Sequence, residues 1–400
     1  MSTPESSPKN SPKKPSDILF LAHRLPWPPD RGDRIRSWHV LNALAKIAPV
    51  HVVTPIEDER ERHHIAAVAA VAASVTVHRR RTSKVAALVG ALASGQPASV
   101  AAFRAPQLAA KVRPLIEQHG ISTIYAFSGQ MASYVPTDFD GRFVMDFVDV
   151  DSAKFEALGK RMWGLGGWVM RREARTLHAF EIAAARRADT VLFVSEAEAD
   201  LFRARTGLTA EVVENGVDAA HFSPGAVESA DAPHPLIVFT GQMDYAPNVE
   251  AVTGFVRDVM PSLPTATFAI VGRAPTAAVK ALAAPNVIVT GEVPDTRPWL
   301  AAADVVVAPL ALARGIQNKV LEAMAMGKAV VASPAAAEGI DAEVGGALLV
   351  AETAAAQAAV IGALLTDPLH ARAIGTAARD RVRARYSWEA RLAPLAGLIA

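Results

Sequence analysis

The sequence predicts an α/β protein made of two successive doubly wound halves, each a parallel sheet covered by helices on both faces. Two observations carry this. Short β-branched runs, apolar at every position rather than at alternate ones, recur with helical stretches between them, as strands buried on both faces do. The series then occurs a second time after a polar segment at Ala226–Pro235, which reads as a linker. Four hundred residues suit two or three domains.

Residues 1–16 are polar and rich in Pro and Ser, without the apolar stretch of a signal peptide, and are expected to form a disordered tail. Asp17–Ala22 is a buried strand, followed by a Pro/Gly loop, a helix over about Asp33–Ile47 and a strand at His51–Thr54. Strand, glycine-containing loop and helix make half of a nucleotide-binding unit. The loop is not GxGxxG, so it does not point to NAD or FAD. Gly32 lets backbone approach a ligand closely or simply serves a turn. His23 leads from the first strand into this loop, a cleft position.

Ile65–Val77, rich in Ala and Val, is too short to cross a bilayer and reads as a packed helix. Val75–His78, Thr123–Ala126, Phe143–Val148 and Thr190–Val194 continue the first sheet. Asp146, Asp149 and Asp151 cluster at the end of one of these strands. Asp149-x-Asp151 has the pattern of a carboxylate pair that holds a divalent ion on a diphosphate; Asp151-Ser152 also reads as a helix cap. The reading adopted here puts these carboxylates on the acceptor side of a cleft. Lys160–Arg187 mixes tryptophans with basic residues, so it is either a surface for an anionic membrane or a long helix packing Trp and Leu on the core.

The second set of strands is Leu236–Thr240, Thr267–Val271, Val287–Thr290, Val305–Ala308 and Ala329–Ala332. The most informative stretch is Ala303–Pro334: strand, short loop, an amphipathic helix over about Ile316–Met326, a Gly327 stop and a strand. Asn318, Lys319 and Glu322 share one edge of that helix, being three and four residues apart. The edge follows a strand's carboxyl end, where open α/β sheets bind ligands. The helix N-terminus and Lys319 suit phosphate, and Glu322 can accept two hydroxyl hydrogen bonds from a sugar diol. A nucleotide-sugar would satisfy both; an exposed Lys–Glu pair is the plainer alternative.

Composition narrows the classes. A net charge of +1 offers no whole-chain argument for nucleic acid, and the absence of cysteine excludes disulfides, thiolate metal sites and cysteine nucleophiles. Neither HExxH nor a Ser/His/Asp order is evident, which leaves hydrolase readings without support. The His63–His64 pair reads as a solvated helix surface. A soluble, cytoplasmic protein is expected.

Several segments together resemble the retaining GT-B glycosyltransferases of family 4. They are the first-strand loop with Gly32, VSEAEADLF (Val194–Phe202), Asn215-Gly216-Val217-Asp218, GEVPDTRPWLAAADVVVAPL (Gly291–Leu310) and KVLEAMAMGKAVVAS (Lys319–Ser333). HRLPWPPDRGDRIRSWH and VFTGQMDYAPNVEA are similar to the exopolysaccharide sugar transferases associated with the PEP-CTERM/exosortase system. The resemblance implies two Rossmann-like domains with parallel sheets facing across a cleft: residues 17–220 on the acceptor side, 221–387 binding the nucleotide-sugar, and 388–400 forming a helix that crosses back. It implies retaining sugar transfer without a bound metal or cofactor, to a saccharide or polyprenyl-linked acceptor, at or near the inner face of the cytoplasmic membrane. The donor site would comprise Gly32, Arg273, Gly291, Glu292, Gln317, Asn318, Lys319 and Glu322. His23, Asp149 and Asp151 would lie on the acceptor side, with Lys319, Arg314 and Asp149 in the chemistry.

The chain departs from the family twice. Of two glutamates eight positions apart, the second matches Glu322 but position 314 is arginine. The usual Arg and Lys after the second domain's first strand are also missing, the segment reading Gly241-Gln242-Met243-Asp244-Tyr245 and then Asn248. Arg314, Lys319 and Arg273 are the cations left to meet a diphosphate. Two other classes stay open: a UDP-sugar epimerase of the same fold, and a non-catalytic nucleotide-sugar-binding subunit.

Overall fold

A computed structural model describes residues 16–80, 90–91, 95–313, 316–341 and 346–399. The chain forms two compact units: Met1–Asn215 together with Leu392–Ala400, and Gly216–Arg391.

The first unit is a seven-stranded parallel sheet in the order β3-β2-β1-β4-β5-β6-β7. Its strands are β1 (Ile18–Ala22), β2 (Val50–Ile56), β3 (Ser74–Arg79), β4 (Thr123–Phe127), β5 (Arg142–Val148), β6 (Thr190–Phe193) and β7 (Glu211–Val212). β1, β2 and β4 are buried along their whole length, the mark of a central parallel sheet. The helices used below are α1 (Gly32–Ala45), α2 (Pro106–His119), α3 (Asp151–Arg161), α4 (Gly164–Ala185) and α5 (Glu196–Thr206). Ser16, expected in the tail, shares a hydrogen bond with the Ser122 hydroxyl; residues 1–15 lie outside the described residues.

Two helix expectations fail here. Within Ile65–Val77, helix ends at Ala69 and β3 begins at Ser74. Val75 and Val77 pair with Val52 and Thr54 of β2, so strand pairing overrides the alanine-rich helical signal. Lys160–Arg187 is not one helix either: α3 ends at Arg161 and α4 begins at Gly164. The two helices pack against each other as a hairpin.

Inside this unit lies a buried polar network. Asp146 on β5 is fully buried, and its Oδ2 accepts from Arg36 Nη2 at 3.0 Å, Arg36 Nε at 3.2 Å and the Tyr125 hydroxyl at 2.7 Å. Arg36, on α1 and 1% exposed, also donates to Asn215 Oδ1 at 3.0 Å. An ion pair this deep is tolerable only because its hydrogen bonds are met. Asp146 therefore joins α1, β4 and β5, and the expectation that it lines the acceptor side is corrected. Leu392–Ala400 packs here as well: α9 (Leu395–Ile399) lies against α1 and β5, and Arg142 Nε donates to the Leu398 carbonyl at 2.7 Å.

The second unit is a six-stranded parallel sheet in the order β10-β9-β8-β11-β12-β13. Its strands are β8 (Leu236–Thr240), β9 (Thr267–Val271), β10 (Val287–Gly291), β11 (Val305–Ala308), β12 (Val330–Ala332) and β13 (Leu349–Val350). α6 (Ala246–Asp258) follows β8, α7 (Asn318–Ala325) lies between β11 and β12, and α8 (Pro368–Arg385) packs on α7. Both sheets reverse their strand order in the middle, at β1/β4 and at β8/β11. Ligands of open α/β sheets sit at that switch, beyond the strands' carboxyl ends.

Candidate functional site

The switch point of the second unit holds a cavity of about 280 Å³, lined among others by Gly241, Gln242, Arg273, Glu292, Lys319 and Glu322. Four strand ends deliver this lining: β8, β9 and β10 supply loops, and β11 leads to α7. The loops approach so closely that a Cβ on Gly272, whose φ is +152°, would fall 1.7 Å from the Gly241 carbonyl oxygen. A Cβ on Gly241 would lie 2.8 Å from Asn248 Nδ2 and 3.0 Å from Lys319 Nζ. The floor must therefore be backbone, which leaves room for ligand atoms.

Lys319, in the first turn of α7, is held before any ligand arrives. Its Nζ donates to Asn248 Oδ1 at 2.6 Å and sits 4.4 Å from the centre of the Phe239 ring. Asn248 is buried and in turn donates to the Gln242 carbonyl at 2.8 Å. Burial pushes the Lys319 ammonium down to about 8, opposed by the Glu322 carboxylate. Burial likewise raises Glu322, and Lys319 works against that rise. Two half-buried charges of opposite sign thus face one cavity, each poorly solvated and ready to bind a partner. Arg273 is exposed at the rim, where its Nη2 donates to Gln242 Oε1 at 3.0 Å. An anion in this cavity would meet Lys319 and Arg273, and a diol could donate to Glu322.

A second group surrounds the switch point of the first unit. His23 is buried between Phe127, stacked at 5.7 Å, and Phe103, edge-on at 5.8 Å. Its Nε2 lies 3.1 Å from Asp33 Oδ2, and Arg24 Nη1 donates to the same oxygen at 2.7 Å. Hydrogen bonds from His23 and Arg24 hold Asp33 far below the usual carboxylate range, while burial lowers His23 and keeps it neutral. Arg24 Nη1 also lies 3.3 Å from His23 Nε2, and Nδ1 is buried without a hydrogen-bond partner. Nearby, Ser128 and Val148 take φ of +76° and +72° at the ends of β4 and β5. Such backbone is costly for a β-branched residue and collects where function shapes the chain.

Residues 234–367 match the family model described as glycosyl transferases group 1. No curated protein sequence matches the chain significantly. Among solved structures, the chain is similar to HepE of Anabaena in complex with UDP, at 17% identity and a TM-score of 0.60, covering 96% of this chain and 99% of that one. A sucrose-phosphate synthase from Thermosynechococcus elongatus aligns over 96% and 98% of the two chains at 18% identity and TM-score 0.58. TarM aligns over 96% and 98% at 12% identity and TM-score 0.62. At these identities the likeness shows the fold, which is GT-B.

Of the residues expected from sequence, the structure brings Arg273, Glu292, Lys319 and Glu322 together around one cavity. Gly291 ends β10 with φ +70° beside them. Gln317 is the N-cap residue of α7 and Asn318 its exposed first residue; neither lines the cavity. The helix starts two residues later than expected because Gln317 is extended. Gly32, His23, Asp149 and Asp151 belong to the first unit, with Gly32 opening α1. Arg314 lies outside the described residues.

Asp149 and Asp151 bracket one cation, Lys154 Nζ, at 2.6 and 3.2 Å. The capping alternative fails: the N-cap of α3 is Val150, and carboxylates from α4 and α5 serve that helix end instead. Glu181 accepts from the Ser152 amide at 2.9 Å and hydroxyl at 2.6 Å, and Glu198 accepts from the Val150 amide at 2.7 Å. Among the described residues, Asp17, His51 and His119 bring possible metal-ligand atoms within 4.8 Å of one another. His51, however, already uses Nε2 on Asp17 and Nδ1 on Ser74. Sequence reasoning missed the seat of Lys319 on Asn248 and Phe239. An Asn two residues into the helix after β8 was the available signal.

Proposed function

We propose that this protein is a glycosyltransferase that moves a sugar from a nucleotide-sugar to a saccharide or polyprenyl-linked acceptor with retained configuration. The carrying observation is the cavity at the β8/β11 switch, where Lys319, Arg273 and Glu322 converge within a segment that matches a glycosyltransferase family model. The likeness to a fold solved with UDP-glucose in HepE supports a nucleotide-sugar as donor. The diphosphate takes the Lys319 and Arg273 side, and the ribose diol takes Glu322. Gly291 with Glu292 borders the donor.

As the bond between sugar and diphosphate breaks, negative charge grows on the leaving oxygen, and Lys319 stabilises it. The acceptor oxygen bonds to the anomeric carbon on the same face, and its proton passes to the departing diphosphate. His23 and the carboxylates Asp149 and Asp151 form the acceptor side. No metal or cofactor takes part, so chelator should leave turnover intact. The reaction belongs to exopolysaccharide or cell-surface glycan synthesis, in the cytoplasm. No helix among the described residues is long and apolar enough to cross a membrane.

Thermal-shift measurement against UDP-, GDP-, ADP- and dTDP-sugars tests the reading, because a ligand that binds the native state raises the melting midpoint. One donor class should stabilise the protein and yield glycosylated acceptor. Absence of any shift would overturn it. Altered donor stereochemistry without acceptor would instead favour an epimerase.

A further inference from the structure

The turn of the α3–α4 hairpin carries an apolar surface that the transferase reading does not use. Among the described residues, five of the nine exposed large hydrophobic side chains fall within residues 158–168: Leu158, Met162, Trp163, Leu165 and Trp168. Trp163 is 93% exposed and Leu165 78%, values rare for such side chains in a soluble fold. The helices behind them pack closely. A Cβ on Gly167 would fall 2.1 Å from the Met162 carbonyl oxygen, and one on Gly159 would lie 2.8 Å from Arg171 Cγ. Of the two sequence readings of this segment, the one that packs its tryptophans on the core is corrected by their exposure.

Charge identifies the occupant. Between Glu156 and Glu173 there is no acidic residue, while Lys160, Arg161, Arg171 and Arg172 are basic. Arg161 and Arg171 are exposed beside the apolar tip, Arg171 also donating to the Gly159 carbonyl at 2.9 Å; Lys160 is shared with Glu156 at 2.8 Å, and Arg172 donates to the Ala91 carbonyl at 2.7 Å. An apolar point flanked by exposed arginines, with no acidic residue between them, matches a bilayer surface bearing anionic lipid: apolar side chains enter the boundary below the headgroups and guanidinium groups meet lipid phosphates. A second copy of this chain fits poorly, since its own exposed arginines would oppose these. We infer that the Leu158–Trp168 turn is a membrane-docking wedge for anionic bilayers. It does not rest on the transferase reading, and it can be measured without substrate.

The test is co-sedimentation of the full chain with phosphatidylcholine vesicles, with and without phosphatidylglycerol. Wild type should bind the anionic vesicles and leave them as salt rises, because the charge contribution is screened. W163S/L165S should bind about a hundredfold more weakly, since two large apolar side chains no longer leave water. R161E should bind about tenfold more weakly, with a shallower salt dependence. Because these side chains are exposed, both variants should melt as wild type does. Wild type that ignores anionic vesicles, or W163S/L165S that binds as wild type, would overturn the inference. So would sedimentation equilibrium showing a wild-type dimer that W163S/L165S abolishes, with no vesicle binding.

Discussion

Replacing Lys319 by methionine keeps an apolar stem over Phe239 and removes only the charge. In the native protein that charge is already aimed, by the 2.6 Å hydrogen bond to Asn248 and the ring of Phe239, so little ordering remains to be done when a diphosphate arrives. A hydrogen bond to a charged group contributes about 1.5–3 kcal/mol, and K319M should therefore weaken donor binding about 10- to 150-fold. Turnover should fall as well, because the leaving group gains charge in the transition state. Stability should move the other way. Burial lowers Lys319 from 10.5 to about 8, so the folded state holds this proton less tightly than the unfolded chain does. At neutral pH that costs on the order of 3 kcal/mol, which K319M relieves. In wild type, stability should therefore rise with pH between about 8 and 10.5, and K319M should lack that rise. Calorimetric titration with the stabilising donor, on either side of pH 8, provides the assay. Wild-type affinity should decline as Lys319 loses its proton, and K319M should be flat. Unchanged affinity in K319M, or a pH-independent wild type, would refute the role given to this lysine.

Three further outcomes are expected. E322Q keeps shape but weakens the diol hydrogen bonds, so donor affinity should drop about 10- to 100-fold in the same titration, with the melting midpoint unchanged or higher. D146N unbalances the buried pair with Arg36, and urea denaturation should show a loss of about 3–5 kcal/mol; a loss below about 1 kcal/mol would contradict the network. Burial raises Glu181 to about 7, so its contribution is present below 4.5 and is lost as pH rises through 7. The stability difference between wild type and E181Q should change by about 3 kcal/mol across that window, and a constant difference would dismiss the shift.

Much of the fold was legible because its signals are local. Strands such as Leu236–Thr240 and Thr267–Val271 are buried on both faces, so their sequences are unbroken apolar runs bounded by glycine. The short edge strand Glu211–Val212 carries no such run, and only pairing with a neighbour defines it. Within the site, Lys319 and Glu322 are neighbours on one helix turn and could be read together. Arg273 and Glu292 could be placed nearby because each follows a strand of the same sheet. Asn248 could not be tied to Lys319, since 71 residues separate them and only the close approach of two strand ends joins them.

Sequence by itself determined the two parallel sheets, the strand ends from which a site could be built, and the chemical types offered there. Those follow from periodicity and helix geometry, which act over a few residues. Tertiary structure alone decided which charges are free and which are committed. Asp146 is spent on Arg36, Asp149 and Asp151 share Lys154, and Lys319 rests on Asn248. It also decided that the tryptophans of the α3–α4 turn face outward. The reason is that burial and pairing are properties of residues distant in the chain, and the same side chain changes its charge, solvation and use according to what packs beside it.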